Sequence, residues 1–309
     1  MCDRGPSDSV RRWVAAQGAE RLDQYITACI EQLSRSQVQR LLRAGRVTVN
    51  DGPAKAAGAV RAGDVIEVLL PPRTTLIQAE PLSLAVVYES ADIVVVDKPA
   101  GQLVHPTSEE RTGTLVNAML WHYPEIAGVG PEGRQGVVHR LDRGTSGLVM
   151  FGRTQRGLRS AQEQFREHQV WKTYVALVAG SLRPARGLID APVGRHPRDR
   201  TRMAVVRAGG RSARTQYEVL EDFDGYSLLK VHPLTGRTHQ IRVHLAAVGH
   251  PVAGDPTYGR GVADLGLSRQ FLHATGLRFT DPAVGRAVEV DSPLPGDLQR
   301  VLEVLSDGQ

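Results

Sequence analysis

The chain has 309 residues, with 41% hydrophobic and 23% charged side chains, a formal charge of +5 and a pI near 9.5. That balance excludes a mainly disordered, collagen-like or fibrous protein, and the length suits one large domain with a small companion. Cys2 and Cys29 are the only cysteines, which argues against a disulfide framework or a cysteine metal site, and no apolar run is long enough to span a bilayer. The polar stretch Met1 to Asp8 lacks the apolar centre of a signal peptide, so a cytoplasmic location is expected. Only four of the 38 basic residues are lysine; the rest are arginine, a residue suited to bidentate phosphate and base-edge contacts, although GC-rich coding produces the same bias.

Taken in order, residues 1–17 read as a flexible tail carrying Arg11, Arg12 and Trp13. Residues 18–70 read as a small domain. Arg21, Leu22, Asp23, Tyr25 and Ile26 open an amphipathic helix. A second helix is expected from Ser34, an N-cap with Gln37 three residues on, and its apolar face is Val38, Leu41 and Leu42. Gly45 follows as a C-terminal cap. Val47 to Val49, an Asp51-Gly52 turn, a Gly63-Asp64 turn and Val65 to Val68 then read as short strands. The second helix carries Arg35, Arg40 and Arg43, with Arg46 just beyond, and no acidic residue lies between Ser34 and Asn50. An unbalanced stripe of this kind is a candidate phosphate-binding face.

Residues 71–79 read as a linker through Pro71 and Pro72, and residues 80–309 as a second, larger domain. Strands are expected at Ile93 to Val96, Val175 to Val178 and Tyr226 to Val231, a helix near Leu158 to Glu167, and a surface loop from Ile126 to Gln135. Strand and helix do not alternate regularly, which favours an α+β fold over a doubly wound sheet. Several motifs fail on inspection. Gly128-x-Gly130-x-x-Gly133 is interrupted by Pro131 and precedes a strand-like Val137-Val138 rather than a helix. His239 and His244 are spaced wrongly for paired zinc ligands on one helix face. No feature calls for a metal, a nucleotide or any other small-molecule cofactor.

The segment Gly136 to Gly147 sets Asp142 among His139, Arg140 and Arg143. A carboxylate kept ionised by a guanidinium can act as nucleophile, base or electrostatic stabiliser at an electron-poor sugar carbon. On these residues alone, a structural ion pair in a strand-end turn is the better explanation of the cluster.

Further segments give the cluster context. His139-Arg140-Leu141-Asp142 with Thr145-Ser146-Gly147, Leu103-Val104-His105-Pro106, Gly113-Thr114-Leu115 with Asn117, Lys172-Thr173-Tyr174, the run Thr235 to His244, and Gly254-Asp255 with Tyr258-Gly259 occur in one order. Together they resemble the RluA-type pseudouridine synthases, and the layout is most similar to the branch that acts on large-subunit ribosomal RNA. Arg21-Leu22-Asp23, Leu33-Ser34-Arg35-Ser36, Leu42, Gly45, Val49-Asn50 and Gly63-Asp64 resemble the αL RNA-binding module of a small-subunit ribosomal protein. Trp171, His232 and Gly210-Arg211 depart from the synthase pattern, and Asn50-Asp51-Gly52 lengthens a turn of the module.

The resemblance implies a catalytic domain built on a large mixed, mainly antiparallel sheet with a central cleft. It implies isomerisation of uridine in RNA to pseudouridine, without a cofactor, by a monomer. Asp142 would be the essential carboxylate, Tyr174 would stack on the uracil, and Arg242 would pair with Asp142. Arg140 would fill the gap left by the flipped nucleotide. Arg237 would pair with Asp142 in place of Arg242 or bind phosphate, His139 would contact RNA, Ile241 and Leu272 would wall the pocket, and Arg35, Arg40, Arg43 and Arg46 would bind RNA outside it. Transfer RNA as substrate, a non-catalytic ribosome-assembly factor on the same scaffold and an N-glycoside hydrolase using Asp142 are the competing readings.

Overall fold

A computed structural model of the chain describes residues 9–30, 33, 35–70, 77–107, 109–199, 201–259, 261 and 265–307. It divides into two compact units, Met1–Leu76 and Ile77–Gln309.

The first unit contains β1 (Ser9–Val14), α1 (Leu22–Cys29), α2 (Arg35–Arg43), β2 (Val47–Val49), β3 (Gly52–Pro53) and β4 (Val65–Leu70). Its sheet runs β1-β4-β2-β3 and is antiparallel throughout. Leu22 and Ile26 lie one helical turn apart, as do Val38 and Leu42, so each helix has an apolar stripe. Both stripes meet Val47, Ile66 and Val68 of the sheet in one core. Asn50 and Asp51 both take positive φ, 52° and 60°, which centres the hairpin turn one residue earlier than the expected Asp51-Gly52.

Two expectations change here. Ser9–Val14 is not part of a loose tail: it pairs with β4 from Ser9↔Leu70 to Val14↔Val65, and Trp13 packs against the core. An edge strand is held by its partner's backbone ladder, and a segment with Val10 and Val14 both exposed carries little apolar signal of its own. The expected N-cap Ser34 and residues 71–76 of the expected linker lie outside the described residues. Residues 77–79 belong to the second unit: Ile77 packs on its core, and the Gln78 carbonyl accepts from Asn117 Nδ2 at 2.8 Å.

The second unit runs β5 (Ala85–Glu89), β6 (Ile93–Lys98), α3 (Leu115–His122), a 3-10 turn (Pro124–Gly128), β7 (Ser146–Gly152), α4 (Gln155–Arg166), β8 (Trp171–Ala179), β9 (Arg186–Asp190), β10 (Val193–Arg195), β11 (Met203–Val205), β12 (Arg214–Phe223), β13 (Tyr226–Pro233), α5 (Gln240–Ala247), β14 (Leu272–Asp281), β15 (Arg286–Asp291) and α6 (Gly296–Asp307). A nine-stranded sheet orders them β5-β6-β7-β14-β8-β13-β12-β9, with β15 beside the far end of β14. Its pairs are antiparallel apart from β14 with β7, the mixed, mainly antiparallel α+β arrangement expected from the sequence. β6 is buried on both faces, which is why it reads as an unbroken apolar run. Val94 and Val96 face one core with Val149 and Met119, while Ile93 and Val95 face another with Leu148 and Ala161.

The sheet's centre positions the site. β14 runs beside β7 only at His273 and Ala274, and then turns to β15. Gly147 makes this approach possible: a Cβ there would lie 2.2 Å from the Ala274 carbonyl oxygen, and its φ is +109°. The expected strand at Val137-Val138 is reduced to a single bridge between Val137 and Phe151, and the expected surface loop at 126–135 buries Ile126 and Val129 in the core.

Candidate active site

Asp142 lies in the turn before β7 rather than at the end of a strand, and its carbonyl accepts the Thr145 amide at 3.1 Å. The turn is tied down from beneath. Lys98, at the end of β6, is fully buried and donates from Nζ to the carbonyls of Pro99, Gln102 and Arg143 at 2.8, 3.0 and 3.1 Å. Burial lowers this ammonium's pKa to about 7. From the other side, Arg269 Nη1 donates to the Gly144 carbonyl at 3.2 Å and Gln270 Nε2 to Thr145 Oγ1 at 2.9 Å. The carboxylate is therefore carried by a braced turn.

Helix α5 supplies its partner. Arg242 is 5% exposed at its side chain and donates from Nη1 to Asp142 Oδ2 at 3.0 Å. Its Nε and Nη2 go to Asp255 Oδ2 and Oδ1 at 2.6 and 2.8 Å. Asp255 is closed from solvent and also accepts the amides of Thr257 and Tyr258 at 2.8 and 3.0 Å. Burial alone would raise its pKa, but Arg242 and those amides hold it below the usual carboxylate range. Asp142 Oδ1 makes no hydrogen bond among the described residues; His239 Nε2 is 3.8 Å away. His239 sits at the N-cap of α5 with φ 55°, and its Nδ1 meets Tyr258 Oη at 2.9 Å. Tyr258 Oη also accepts the Met203 amide at 3.0 Å. Assigning the Tyr258 proton to His239 Nδ1 places the imidazole proton on Nε2, facing Asp142.

Tyr174 comes from β8, between Ala274 of β14 and Val231 of β13. Burial first, and then the charge of Asp142, push its phenol above the usual tyrosine range, so it stays protonated. The hydroxyl has no hydrogen-bond partner among the described residues.

These groups line one cavity of about 570 Å³. Asp142, Tyr174, Arg242, Arg140, Arg237, His139, Ile241 and Leu272 all contribute to its wall. Arg140 is exposed, with Nη1 3.4 Å from His105 Nε2. Arg237 is anchored through Nε to the Ser212 carbonyl at 3.0 Å. His139 lines the cavity and is also engaged within the protein. Its Nε2 accepts the Met150 amide at 3.0 Å, its ring stacks on Phe165 at 4.6 Å, and burial lowers its pKa to about 3, so the ring is neutral and braces β7.

The arginines of α2 belong to the first unit, not to this cavity. Arg40 and Arg43 are exposed, Arg46 is half-buried, and Arg43 Nε donates to the Gln39 carbonyl at 3.2 Å. Arg35 is committed within the unit: its Nε donates to the buried Asp23 at 3.0 Å.

With this geometry established, comparison with known proteins is direct. The model of the RNA pseudouridylate synthase family matches residues 92–247, and that of the S4 domain matches residues 20–66. The chain belongs to the RNA pseudouridylate synthase family. It is 51% identical over 292 residues to an uncharacterized RNA pseudouridine synthase of Chloroflexus aurantiacus, covering 94% of this chain and 92% of that one. It is 41% identical to the ribosomal large subunit pseudouridine synthase D of Nitrosomonas europaea, over 92% and 84% of the two chains. Among solved structures, human RNA pseudouridylate synthase domain containing 1 aligns with a TM-score of 0.56 at 28% identity, over 76% of this chain and 97% of that one.

In this synthase, sequence reasoning passed over the roles of Asp255, Tyr258 and Lys98. Gly254-Asp255 and Tyr258-Gly259 were visible as motif positions. Nothing in their spacing signals that Asp255 grips Arg242 from thirteen residues away. Among the described residues no group of three His, Cys, Asp or Glu side chains is arranged to hold a metal ion. What the arrangement offers chemically is a carboxylate with one oxygen held and one open to a cavity walled by a neutral phenol.

Proposed function

We propose that this synthase isomerises uridine in large-subunit ribosomal RNA, with Asp142 as its essential carboxylate. The observation that carries the reading is the half-held state of Asp142 in the cavity wall: Oδ2 bound by Arg242, Oδ1 without a hydrogen bond among the described residues. The ribosomal substrate is supported by the relatives named for the large subunit in Nitrosomonas europaea and Neisseria meningitidis.

The target uridine leaves its stack and enters the cavity, at an unstacking cost of a few kcal/mol. Arg140, at the exposed rim, takes the vacated place. Tyr174 stacks under the uracil, with Ile241 and Leu272 closing the sides. Asp142 acts at the sugar as the bond between N1 and C1′ breaks, the base turns, and C5 joins C1′. Atoms and electrons balance without a redox partner, so the reaction needs no cofactor. Arg237 and the neutral His139 border the same cavity and complete the RNA-binding wall. Arg40, Arg43 and Arg46 of the S4 domain, with Arg35 bound to Asp23, add salt-sensitive affinity for RNA away from the pocket.

The test is incubation of the purified protein with deproteinised large-subunit ribosomal RNA, followed by chemical mapping of pseudouridine. Pseudouridine at discrete positions is expected. Unchanged RNA overturns the reading, and free uracil with abasic sites makes the protein a hydrolase instead.

A further inference from the structure

Among the residues lining the cavity, Asp142 is the one acidic side chain, and its Oδ2 is already taken by Arg242. Yet the same wall holds a second, half-buried cation. Lys172 stands two residues before Tyr174 on β8, so both side chains leave the same face of the strand, about 6.6 Å apart at their origins. Its backbone is fixed on both sides: Lys172 pairs with Leu277 of β14, and its carbonyl meets His232 Nδ1 at 3.0 Å. The ammonium lies 5.7 Å from the Phe165 ring centre. Among the described residues it forms no ion pair and no hydrogen bond. Phe165 is backed by the His139 ring, which is neutral because its Nε2 accepts the Met150 amide. A cation–π interaction offsets only part of the cost of burying an ammonium. Burial accordingly lowers the Lys172 pKa to about 8, and no carboxylate among the described residues pairs with it.

On the functional reading above, the anion arrives with the reaction. We propose that Lys172 is a catalytic residue that holds the carbonyl edge of the uracil lying on Tyr174 and stabilises the base in its anionic state. When the N1–C1′ bond breaks, its electron pair stays on the base, and the negative charge spreads over N1, O2 and O4. Asp142 meets the electron-poor sugar. When C5 attacks C1′ the pair returns to the sugar, the C5 proton is lost and N1 regains one, so the product is an isomer of the substrate. Lys172 faces charge that exists only between these two steps, and such an interaction raises kcat more than it tightens binding. A cation held for a flanking phosphate would do the reverse, because that charge is present in free RNA.

The experiment compares full-length wild type, Lys172→Met and Lys172→Arg on deproteinised large-subunit ribosomal RNA, and on the same RNA transcribed with 5-fluorouridine. Wild type must first form pseudouridine; if it does not, the functional reading fails, and this one with it. Given an active wild type, Lys172→Met lowers kcat by about 100-fold with KM unchanged. Lys172→Arg recovers most of the activity. Fluorine acidifies the departing base, so in single turnover the deficit of Lys172→Met shrinks on 5-fluorouridine, read as disappearance of intact 5-fluorouridine. Thermal unfolding checks the fold, and Lys172→Gln gives the same readings if the methionine variant does not fold. Wild-type kcat in the neutral variant, an effect confined to KM, or equal deficits on the two RNAs overturns the proposal.

Discussion

Asp255 grips Arg242 by two hydrogen bonds, from Nε and Nη2 at 2.6 and 2.8 Å, and Nη1 is left to donate to Asp142. The guanidinium is thus aimed by one carboxylate and used by another. Asp142 is oriented by the arginine, whose Nε and Nη2 are committed to Asp255. Asp255→Ala strips a buried cation of its main partner and is expected to destabilise the second unit by about 3–5 kcal/mol, read by urea unfolding. Asp255→Asn keeps the shape but not the charge, so Arg242 is aimed less firmly at Asp142 and kcat is expected to fall with RNA affinity retained. Unchanged kcat in a folded Asp255→Asn would reduce Asp255 to a packing role.

The exposed arginines of α2 give a second prediction. Arg40 and Arg43 project from a helix with no acidic residue in its first turn. Removing one cation that neutralises a phosphate lowers the slope of log affinity against log salt by about 1. Replacing both arginines with glutamine is expected to weaken RNA binding and lower the slope by about 2, with kcat at saturating RNA unchanged. An unaltered slope, measured by filter binding across a salt series, would place the RNA-binding face of the S4 domain elsewhere.

Asp23 links pH to the stability of the first unit. It is fully buried, and its oxygens accept from Arg21 Nε and Nη2 at 3.0 and 3.1 Å, Arg35 Nε at 3.0 Å and Gln39 Nε2 at 2.7 Å. The Arg21 hydrogen bonds, with those of Gln39 and Arg35, outweigh burial and hold the carboxyl well below its usual range. A depressed carboxyl pKa means that the unfolded chain binds a proton more readily than the folded one. Its stabilisation is therefore complete above the unfolded value of about 4 and disappears as pH falls through the folded value. Calorimetry is expected to show the first unit weakening below about pH 4, and Asp23→Asn to be less stable at neutral pH with a flatter acid response.

How far the sequence foretold this molecule depends on whether the forces involved are local. Helix α4 was legible near Leu158 to Glu167, and strands β2, β4, β6 and β13 were legible, because periodicity or an unbroken apolar run marks burial. β1 was not, because its partner, Val65–Leu70, lies more than fifty residues further along the chain. The basic stripe of α2 was correct as composition. It hid the commitment of Arg35 to Asp23, twelve residues back. His139 was legible as a cavity residue beside Arg140 and Asp142; that its ring also accepts the Met150 amide was not. The cavity's membership was legible through ordered motifs. The Asp255 grip and the Lys172 ammonium, which has no ion pair among the described residues, were not, since both exist only once β8, α5 and the 252–259 segment have folded together.

The most direct measurement is pseudouridine mapping after treatment of deproteinised large-subunit ribosomal RNA with wild type and with Asp142→Asn, alongside RNA affinity and unfolding of both proteins. The account predicts discrete pseudouridines from wild type and none from the variant, with affinity and fold retained. Turnover by Asp142→Asn at the wild-type rate would contradict it.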